Sequence, residues 1–342
     1  MPSRFKRGFY NVARTKPVRI AVAYVISLVI GILLLRKLSQ QVLQDNGSGS
    51  LNPPVEDGYH QPQSEQEQLQ HDRRHRIRKY CIESKNNKNV FHALPDRNHF
   101  NFVVSEKHKF IICYVPKTGA SQWKDSLFKI LANHSVSEQN HAHISLFDDS
   151  IFDFLIKYPL EQSQKMLDNY QTFFFVREPF ERLLSAYRDK FVGKTTQLYE
   201  EMGEEIVRKV RGDATGKNES TGERPTFDEF TSYIESLPDS STWDMHWRPS
   251  HQTCYPCGID YDYVGYFDTA KEDADYILKK LGLDKEVEFP SFRSRTPVLL
   301  EKYYSQIPLE RIIRLAEIYR EDFEMFGYKY PVSIKSLFKD WV

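Results

Sequence analysis

Residues 114–124 read YVPKTGASQWK and outline the architecture of the chain. They overlap KFIICYV, residues 109–115, a short apolar run that predicts a strand. Behind the loop, apolar residues recur at helical spacing, at Trp123, Leu127, Ile130 and Leu131. Ser121 is the predicted N-cap of this helix. The order is therefore strand, tight loop and helix, and Gly119 permits close approach of the backbone to a ligand.

The same order returns in QTFFFVREPFERLLSAYRDKF, residues 171–191. Thr172–Val176 predict a buried strand with Arg177 at its end, and Pro179 suits the first turn of a helix. Two strand-to-helix units with polar residues after the strand predict an α/β fold. We expect a central parallel sheet flanked by helices, with a ligand at the carboxyl edge of the sheet.

Three further elements follow from local patterns. YDYVGYF, residues 261–267, predicts another strand, and TFDEFTSYIESL, residues 226–237, predicts a helix capped by Thr226. LERIIRLAEIYREDFEMF, residues 309–326, predicts one long helix with a buried apolar stripe. Its members are Ile312, Leu315, Tyr319, Phe323 and Phe326. We interpret the stripe as core packing.

Charge and hydropathy organise the N-terminal region. The first 37 residues carry eight basic groups and no acidic one, and Ile20–Leu35 carries no charge. Six of the basic groups precede this apolar run, which favours a transmembrane signal-anchor at residues 20–36 and a cytosolic tail at residues 1–19. A cleaved signal peptide is the alternative, but no small-residue cleavage site follows closely.

Composition predicts a flexible stem at residues 37–76 and a folded domain at residues 77–342. The 342 residues, 40% of them hydrophobic, suffice for one sizeable core. The basic run RRHRIRK, residues 73–79, fits either an acidic glycan partner or a solvated face. Beyond residue 37 acidic residues outnumber basic ones, 47 to 39, so a nucleic-acid partner is not expected.

Cysteines and glycosylation motifs fit a luminal domain. Cys254 and Cys257 have the spacing of half a zinc site, but nothing completes it, and a disulfide involving one of them is the better interpretation. Its connectivity stays open. Glycosylation sequons begin at Asn46, Asn133 and Asn218.

The loop after the first strand is suited to an anion. Backbone N–H groups at a helix start attract negative charge, Lys117 and Lys124 add positive charge, and Thr118 and Ser121 offer hydroxyl donors. The Gly-Lys-Ser/Thr ending of a nucleotide-hydrolysing loop is missing, as is an obvious carboxylate strand for magnesium. We therefore expect no metal, which makes a nucleotide kinase a remote alternative.

The two loops together resemble the donor-binding signatures of the membrane-bound Golgi carbohydrate sulfotransferases, in the branch of the chondroitin and dermatan 4-O-sulfotransferases. His246-Trp247 followed by CYPCGIDYDYVGYFDT, residues 254–269, is also similar to that branch. The resemblance covers roughly residues 100–330 and implies a P-loop-like sulfotransferase fold that uses PAPS (3'-phosphoadenosine 5'-phosphosulfate). Ala120, Ser121 and Gln122 depart from the Cys, Thr and Asn common in that branch.

The resemblance also implies roles for residues. The loop, with Pro116, Lys117, Thr118, Gly119, Ala120, Ser121 and Gln122, and with Lys124 beyond it, would bind the 5'-phosphosulfate, while Arg177 and Ser185 would bind the 3'-phosphate. Lys117 would stabilise charge on the leaving oxygen. Without a ligand, Arg177 would instead pair with a neighbour such as Glu181, and Ser185 would be a surface hydroxyl.

Transfer needs a general base, because the acceptor hydroxyl loses its proton as it attacks sulfur. His143 is the candidate by resemblance; His141 and His246 are the alternatives. The resemblance thus implies a type II Golgi membrane enzyme that sulfates a glycan, most specifically the 4-position of GalNAc in chondroitin. Another glycan acceptor, or a luminal glycan-binding protein without turnover, are the alternatives.

Overall fold

The computed structural model describes residues 64–84, 101–131, 151–193, 195–212, 223–238 and 243–329. The predicted tail and anchor and the three sequons lie outside these ranges, as do His141 and His143. Among the described helices, none combines the length and apolar character that crossing a membrane requires.

The core of the fold is a five-stranded sheet with the order β3-β1-β2-β4-β5. Its strands are β1 Phe102–Ser105, β2 Phe110–Cys113, β3 Asp153–Phe154, β4 Gln171–Val176 and β5 Tyr263–Tyr266. β2, β4 and β5 are parallel, as predicted, whereas β1 is antiparallel to both of its neighbours. The sheet is therefore mixed, a correction to the all-parallel prediction: β1 and β2 form a hairpin, and only the strands joined by helical crossovers run the same way.

The described helices of the chain are α1 Glu65–Glu83, α2 Ala120–Leu131, α3 Leu160–Asn169, α4 Pro179–Phe191, α5 Gln197–Arg211, α6 Phe227–Ser236, α7 Ser250–Cys254, α8 Ala270–Lys280, α9 Leu300–Tyr304, α10 Leu309–Ile318 and α11 Arg320–Phe326. Thr226 caps α6 through a capping box with Glu229, which confirms the predicted start of that helix.

Strand β4 is buried on both faces and organises the packing on each side of the sheet. Phe173 and Phe175 pack with Trp123 of α2 and Ile277 of α8 in one apolar cluster. Phe174 and Val176 pack in another, with Met325 and Phe326. Such two-sided burial explains why β4 reads as a continuous apolar run, and it fixes the strand end that carries Arg177.

The N-terminal helix α1 is part of the folded unit. Arg73, nearly buried, pairs with Asp273 at 2.7 Å, and Arg78 makes a two-oxygen contact with Asp260. Arg76 donates to the carbonyl oxygen of Phe326 at 3.3 Å. These arginines of the basic run therefore make intramolecular contacts, which the sequence did not predict. Arg76, Arg78 and Lys79 are nevertheless exposed, which agrees with the interpretation as a solvated face. The predicted domain boundary at residue 77 falls inside this helix, and the folded unit includes residues from Glu65 onward.

The late helix is broken, contrary to prediction. α10 ends at Ile318 and α11 begins at Arg320, with Tyr319 between them at φ −99° and ψ 11°. The break lets the Tyr319 hydroxyl donate to the carbonyl oxygen of Trp247 at 2.5 Å. All five residues of the predicted stripe are buried, which confirms their role in the core.

Two disulfides join the CYPC segment to distant parts of the fold. Cys257 is bonded to Cys81 of α1, and Cys254 is bonded to Cys113 at the end of β2. The prediction of a disulfide at Cys254 or Cys257 is confirmed for both residues.

Candidate functional site

The first strand-to-helix connection, residues 114–119 between β2 and α2, has an unusual backbone, and we call it the first crossing. After β2, Lys117 has φ 72° and Gly119 has φ 91°, in the region that costs a residue with a side chain roughly 1–2 kcal/mol. The Thr118 hydroxyl donates to the carbonyl oxygen of Val115 at 2.7 Å and closes the turn. Helix α2 begins at Ala120, so Ser121 is its second residue and not its N-cap, a correction to the prediction. The loop thus presents unpaired backbone N–H groups at a helix start.

The second crossing, residues 177–178 between β4 and α4, is held in shape by side-chain contacts. Arg177 follows the last residue of β4, and Pro179 is the first residue of α4. The Glu178 carboxylate caps this helix by accepting from the backbone N–H of Glu181 at 2.6 Å. Pro179 needs no N–H partner and has a preset φ, so the chain turns sharply into α4.

Arg177 is 3% exposed and lies between several partners. Its Nε and Nη2 donate to the Glu181 carboxylate at 3.2 and 3.1 Å, and Nη2 also donates to the Ser294 hydroxyl at 3.0 Å. Nη1 donates to the backbone oxygen of Lys117 at 3.2 Å, and the guanidinium stacks on the ring of Phe267 at 3.8 Å. The predicted pair with Glu181 therefore exists. It leaves one of the five N–H donors without a described partner.

Both crossings open into one cleft with a volume of about 370 Å³. Most of the predicted donor-binding residues line it, namely Pro116, Lys117, Gly119, Ala120, Ser121, Gln122, Arg177 and Ser185. Residues that the sequence did not single out complete it, namely Tyr114, Asp189, Lys190, Phe267, Phe292, Arg293 and Ser294. His246, one of the alternative candidates for the general base, also lines it.

Two predicted ligand groups lie elsewhere. The Thr118 side chain is buried and its hydroxyl proton serves Val115, so that hydroxyl is not a donor to the cleft in this structure. The Lys124 side chain belongs to α2 but not to the lining, and its Nζ lies 3.9 Å from Asp125. His143 lies outside the described residues. Of the predicted donor-binding residues, Thr118 and Lys124 therefore do not line the cleft, whereas Lys117 and Arg177 do.

Ser185 of α4 is half-buried and lines the cleft. Within the described part of the chain its hydroxyl makes no hydrogen bond. Asp189 follows Ser185 by four residues and therefore lies on the same face of the helix, which is a signal the sequence contains. No comparable signal marks Phe292, Arg293 and Ser294, because a loop brings them to the cleft from a distant part of the chain.

Asp189 is a shared counterion for two lysines. Its carboxylate lies 3.3 Å from Lys117 Nζ and 3.1 Å from Lys190 Nζ. Burial acts to raise the pKa of Asp189, but the two ammonium groups outweigh it and hold that pKa below its usual value. Burial lowers the pKa of Lys117, against the opposing effect of Asp189. The Lys117 ammonium is thus partly stripped of water and held in place by a salt bridge.

A second polar group borders the same cleft. His246 Nδ1 lies 2.7 Å from Asp244 Oδ1 and 3.0 Å from the Tyr199 hydroxyl, and Tyr199 donates to Asp244 Oδ2 at 2.9 Å. Burial lowers the pKa of His246, although the Asp244 carboxylate acts to raise it. Burial acts to raise the pKa of Asp244, but contacts with His246 and Tyr199 leave it lowered. The group therefore favours a neutral imidazole beside an ionised carboxylate.

Among the described residues, no cluster of three or more His, Cys, Asp or Glu side chains could hold a metal ion. The expectation that no metal is needed stays a prediction.

Comparisons with known proteins converge on one family. The profile described as the sulfotransferase family matches residues 100–329. Carbohydrate sulfotransferase 11 of Rattus norvegicus is 33% identical over 246 residues, 69% of each chain. Carbohydrate sulfotransferase 14 of Danio rerio is 34% identical over 235 residues, 68% of this chain and 63% of the relative. Carbohydrate sulfotransferase 9 of Homo sapiens is 31% identical over 276 residues, 78% and 61% respectively. No solved structure matches the chain significantly.

Proposed function

The chain belongs to the carbohydrate sulfotransferase family, and on that premise we propose that it transfers a sulfuryl group from PAPS to a hydroxyl group of a glycan. One observation carries the proposal: Lys117 and Arg177, from two crossings about 60 residues apart in sequence, line the same cleft and are joined by a hydrogen bond of 3.2 Å. One doubly phosphorylated nucleotide could therefore contact both.

The residues present fit such a donor. Unpaired N–H groups at the start of α2 suit the 5'-phosphosulfate. The remaining N–H of Arg177 and the Ser185 hydroxyl, on neighbouring elements, suit the 3'-phosphate. Phe292 packs at the glycine loop, where a Cβ added to Gly119 would meet its Cζ at 3.5 Å, and its ring offers an apolar face for adenine. Glu181 compensates the buried charge of Arg177 before the anion arrives.

PAPS supplies the sulfuryl group when bound, and Lys117 is the residue that we assign to the leaving side. Its side chain is 20% exposed and its ammonium is fixed by Asp189, so its charge is aimed with little solvent screening. A preorganised donor of this kind stabilises negative charge as it develops on the bridging oxygen. Lys190 shares the same counterion and adds positive potential to this end of the cleft.

For the acceptor, we propose the 4-position of GalNAc in chondroitin, on the resemblance of the sequence motifs to that branch. The relatives' names support a carbohydrate acceptor in general. We also propose placement of the folded domain in the lumen of the Golgi, anchored by residues 20–36. The two disulfides support an oxidising compartment.

A direct test incubates the purified full chain with radiolabelled PAPS and a panel of desulfated chondroitin, desulfated dermatan and simple GalNAc-containing glycans. Labelled product on at least one glycan is expected, and disaccharide analysis gives the sulfated position. Binding of the desulfonated nucleotide without any transfer would point to a glycan-binding protein instead. Magnesium-dependent ATP turnover would contradict the proposed reaction class.

A further inference from the structure

One cluster at the cleft has chemistry that donor binding does not use: Tyr199, Asp244 and His246. Resting on the proposed function, we infer that His246 Nε2 accepts the proton of the acceptor hydroxyl and that Asp244 and Tyr199 position the imidazole. The motif resemblance instead favours His143 for this role. The assignment to His246 follows from three features of the described residues.

Hydrogen bonding fixes the tautomer of His246. Asp244 Oδ1, at 2.7 Å, belongs to a carboxylate and can only accept, so His246 Nδ1 carries the proton. The backbone N–H of His246 donates to the same oxygen at 2.8 Å, which fixes the residue relative to its partner. In the neutral ring, Nε2 is then the nitrogen with a free lone pair. Nε2 makes no hydrogen bond with any described residue.

A continuous set of contacts connects this histidine to Lys117. Lys117 and Lys190 share Asp189, Lys190 Nζ lies 4.4 Å from the centre of the Tyr199 ring, and the Tyr199 hydroxyl lies 3.0 Å from His246 Nδ1. The His246 side chain is 18% exposed and lines the cleft. The lysine assigned to the leaving group and the proposed proton acceptor thus line one cleft.

A buried arginine ties the two segments together. Arg182 of α4, 1% exposed, donates from Nε to the carbonyl oxygen of Pro116 at 3.2 Å and from Nη2 to that of Met245 at 3.0 Å. It therefore fixes the residue before Lys117 relative to the residue before His246. Such a support fixes the relative positions of the reacting groups, and much of the rate enhancement of a preorganised site comes from this.

The charges around His246 keep the ring neutral. Burial lowers its pKa, the nearby ammonium groups of Lys190 and Lys117 lower it further, and only Asp244 acts in the opposite direction. An imidazole whose pKa lies below its ordinary value is unprotonated at neutral pH. It can therefore accept a proton without first losing one.

The reaction step balances with this assignment. The acceptor oxygen forms a bond to sulfur as the bond between sulfur and the bridging phosphate oxygen breaks. The hydroxyl proton moves to His246 Nε2, and the electron pair of the broken bond leaves on the nucleotide phosphate, next to the Lys117 ammonium. Proton removal is thus assigned to His246 and charge stabilisation to Lys117, two residues that line one cleft.

The test substitutes His246→Asn in the full chain, because the Asn amide keeps a donor toward Asp244 and offers no basic nitrogen. With desulfated chondroitin as acceptor probe, turnover should fall by about 10²–10⁴-fold. The affinity for the desulfonated nucleotide, measured by calorimetry, should be unchanged. In the wild type, turnover should fall as acid protonates the ring, with a midpoint below the ordinary histidine value. This acid limb should be missing in the variant.

The variant Asp244→Asn tests whether Asp244 positions the imidazole of His246. It should lower turnover less than His246→Asn and move the acid limb to lower pH, because the carboxylate that raises the histidine pKa is gone. His251→Asn is the matched control, since His251 also contacts an aspartate through Nδ1, at 2.8 Å from Asp322, but lies outside the cleft lining. It should leave turnover unchanged.

If the wild type transfers sulfate, near-normal turnover of His246→Asn, or an acid limb that is unchanged in this variant, would overturn the assignment to His246. The proposed function would still stand. Loss of nucleotide binding by His246→Asn would also count against the assignment, since a pure proton acceptor leaves that affinity intact. Loss of turnover in His143→Ala with its acid limb abolished would move the role to His143. A wild-type chain that transfers nothing to any glycan overturns the proposed function first, and the assignment with it.

Discussion

The two strand-to-helix crossings of this fold present positive charge to the same cleft by different means. At Lys117 the backbone takes a left-handed conformation, and the crossing offers N–H groups at a helix start together with an ammonium group held by Asp189. At Arg177 the backbone turns conventionally through Pro179, and a buried guanidinium is already balanced by Glu181. The first crossing has a strained backbone and a lysine whose counterion, Asp189, is half exposed, whereas the arginine of the second crossing is buried against Glu181.

This difference separates two tasks. A charge that stabilises a leaving group must be poorly screened and held where charge develops during reaction, which matches Lys117 in its contact with Asp189. A charge that only binds a phosphate contributes equally before and during reaction, which a fixed, compensated arginine achieves. Substitutions at the first crossing should therefore change turnover, and substitutions at the second should change affinity.

The largest expected effect is that of Lys117→Met. Turnover should fall by about 10²–10³-fold, because removing one preorganised donor costs that much, while the fold is retained. Initial rates with radiolabelled PAPS measure this loss. Lys124→Met is the matched control in the adjoining helix and should change rates little. Equal losses in both variants would show that general positive potential, and not Lys117 itself, drives the effect.

Arg177→Met should act mainly on affinity. Loss of a charge-assisted hydrogen bond of roughly 1.5–3 kcal/mol should weaken binding of the desulfonated nucleotide by about 12- to 160-fold, as measured by calorimetry. The orphaned Glu181 would also destabilise the fold, so the double variant Arg177→Met, Glu181→Gln is the informative form. Should the double variant bind the nucleotide normally but turn over slowly, the division between the two crossings would be reversed.

Gly119→Ala examines the strained backbone of the first crossing. The added Cβ meets only ordinary contacts, so the cost is the left-handed φ, roughly 1–2 kcal/mol. The midpoint temperature of thermal unfolding should fall, and nucleotide binding should weaken. Gly282→Ala is the control, since Gly282 has φ 72° and open space around it but lies outside the cleft. It should lower stability by a similar amount and leave nucleotide binding intact; weakened binding in this variant would show that the loss at Gly119 comes from general destabilisation and not from the loop.

The smallest effect is expected for Ser185→Ala. A neutral hydrogen bond contributes roughly 0.5–1.5 kcal/mol, so nucleotide affinity should fall by about 2- to 12-fold with turnover nearly unchanged. The same calorimetric titration measures it. An affinity equal to that of the wild type would assign Ser185 to the surface of α4 and leave Arg177 alone at the second crossing.

Local patterns in the sequence predicted both crossings because their signals are local. Apolar runs marked β2, β4 and β5, and Pro179 and Thr226 marked helix starts. β1 was missed because four residues beside a turn carry little periodicity, and its pairing with β2 reverses the local strand direction. The break at Tyr319 was missed because the apolar stripe runs through it without interruption, and the hydrogen bond that Tyr319 makes joins it to Trp247, distant in sequence.

In the candidate site too, the sequence predicted the features that depend on local patterns and missed those that depend on contacts distant in sequence. Lys117, Arg177 and Ser185 could be placed in one cleft because each follows directly from its crossing. The Thr118 hydroxyl was assigned to a ligand but closes the turn onto Val115, since the sequence does not reveal which partner a hydroxyl meets. Phe292 and Ser294 reach the cleft only through tertiary packing, which no spacing along the chain encodes.

The two disulfides have a further consequence for the integrity of the chain. Every peptide bond between Cys81 and Cys254 lies inside a loop closed by sulfur, because Cys81 and Cys113 are both bonded to the CYPC segment. A protease that cuts once anywhere in that interval therefore yields two peptides that still migrate as one species until a reductant is added. Nicked enzyme would keep both halves of its cleft covalently tethered.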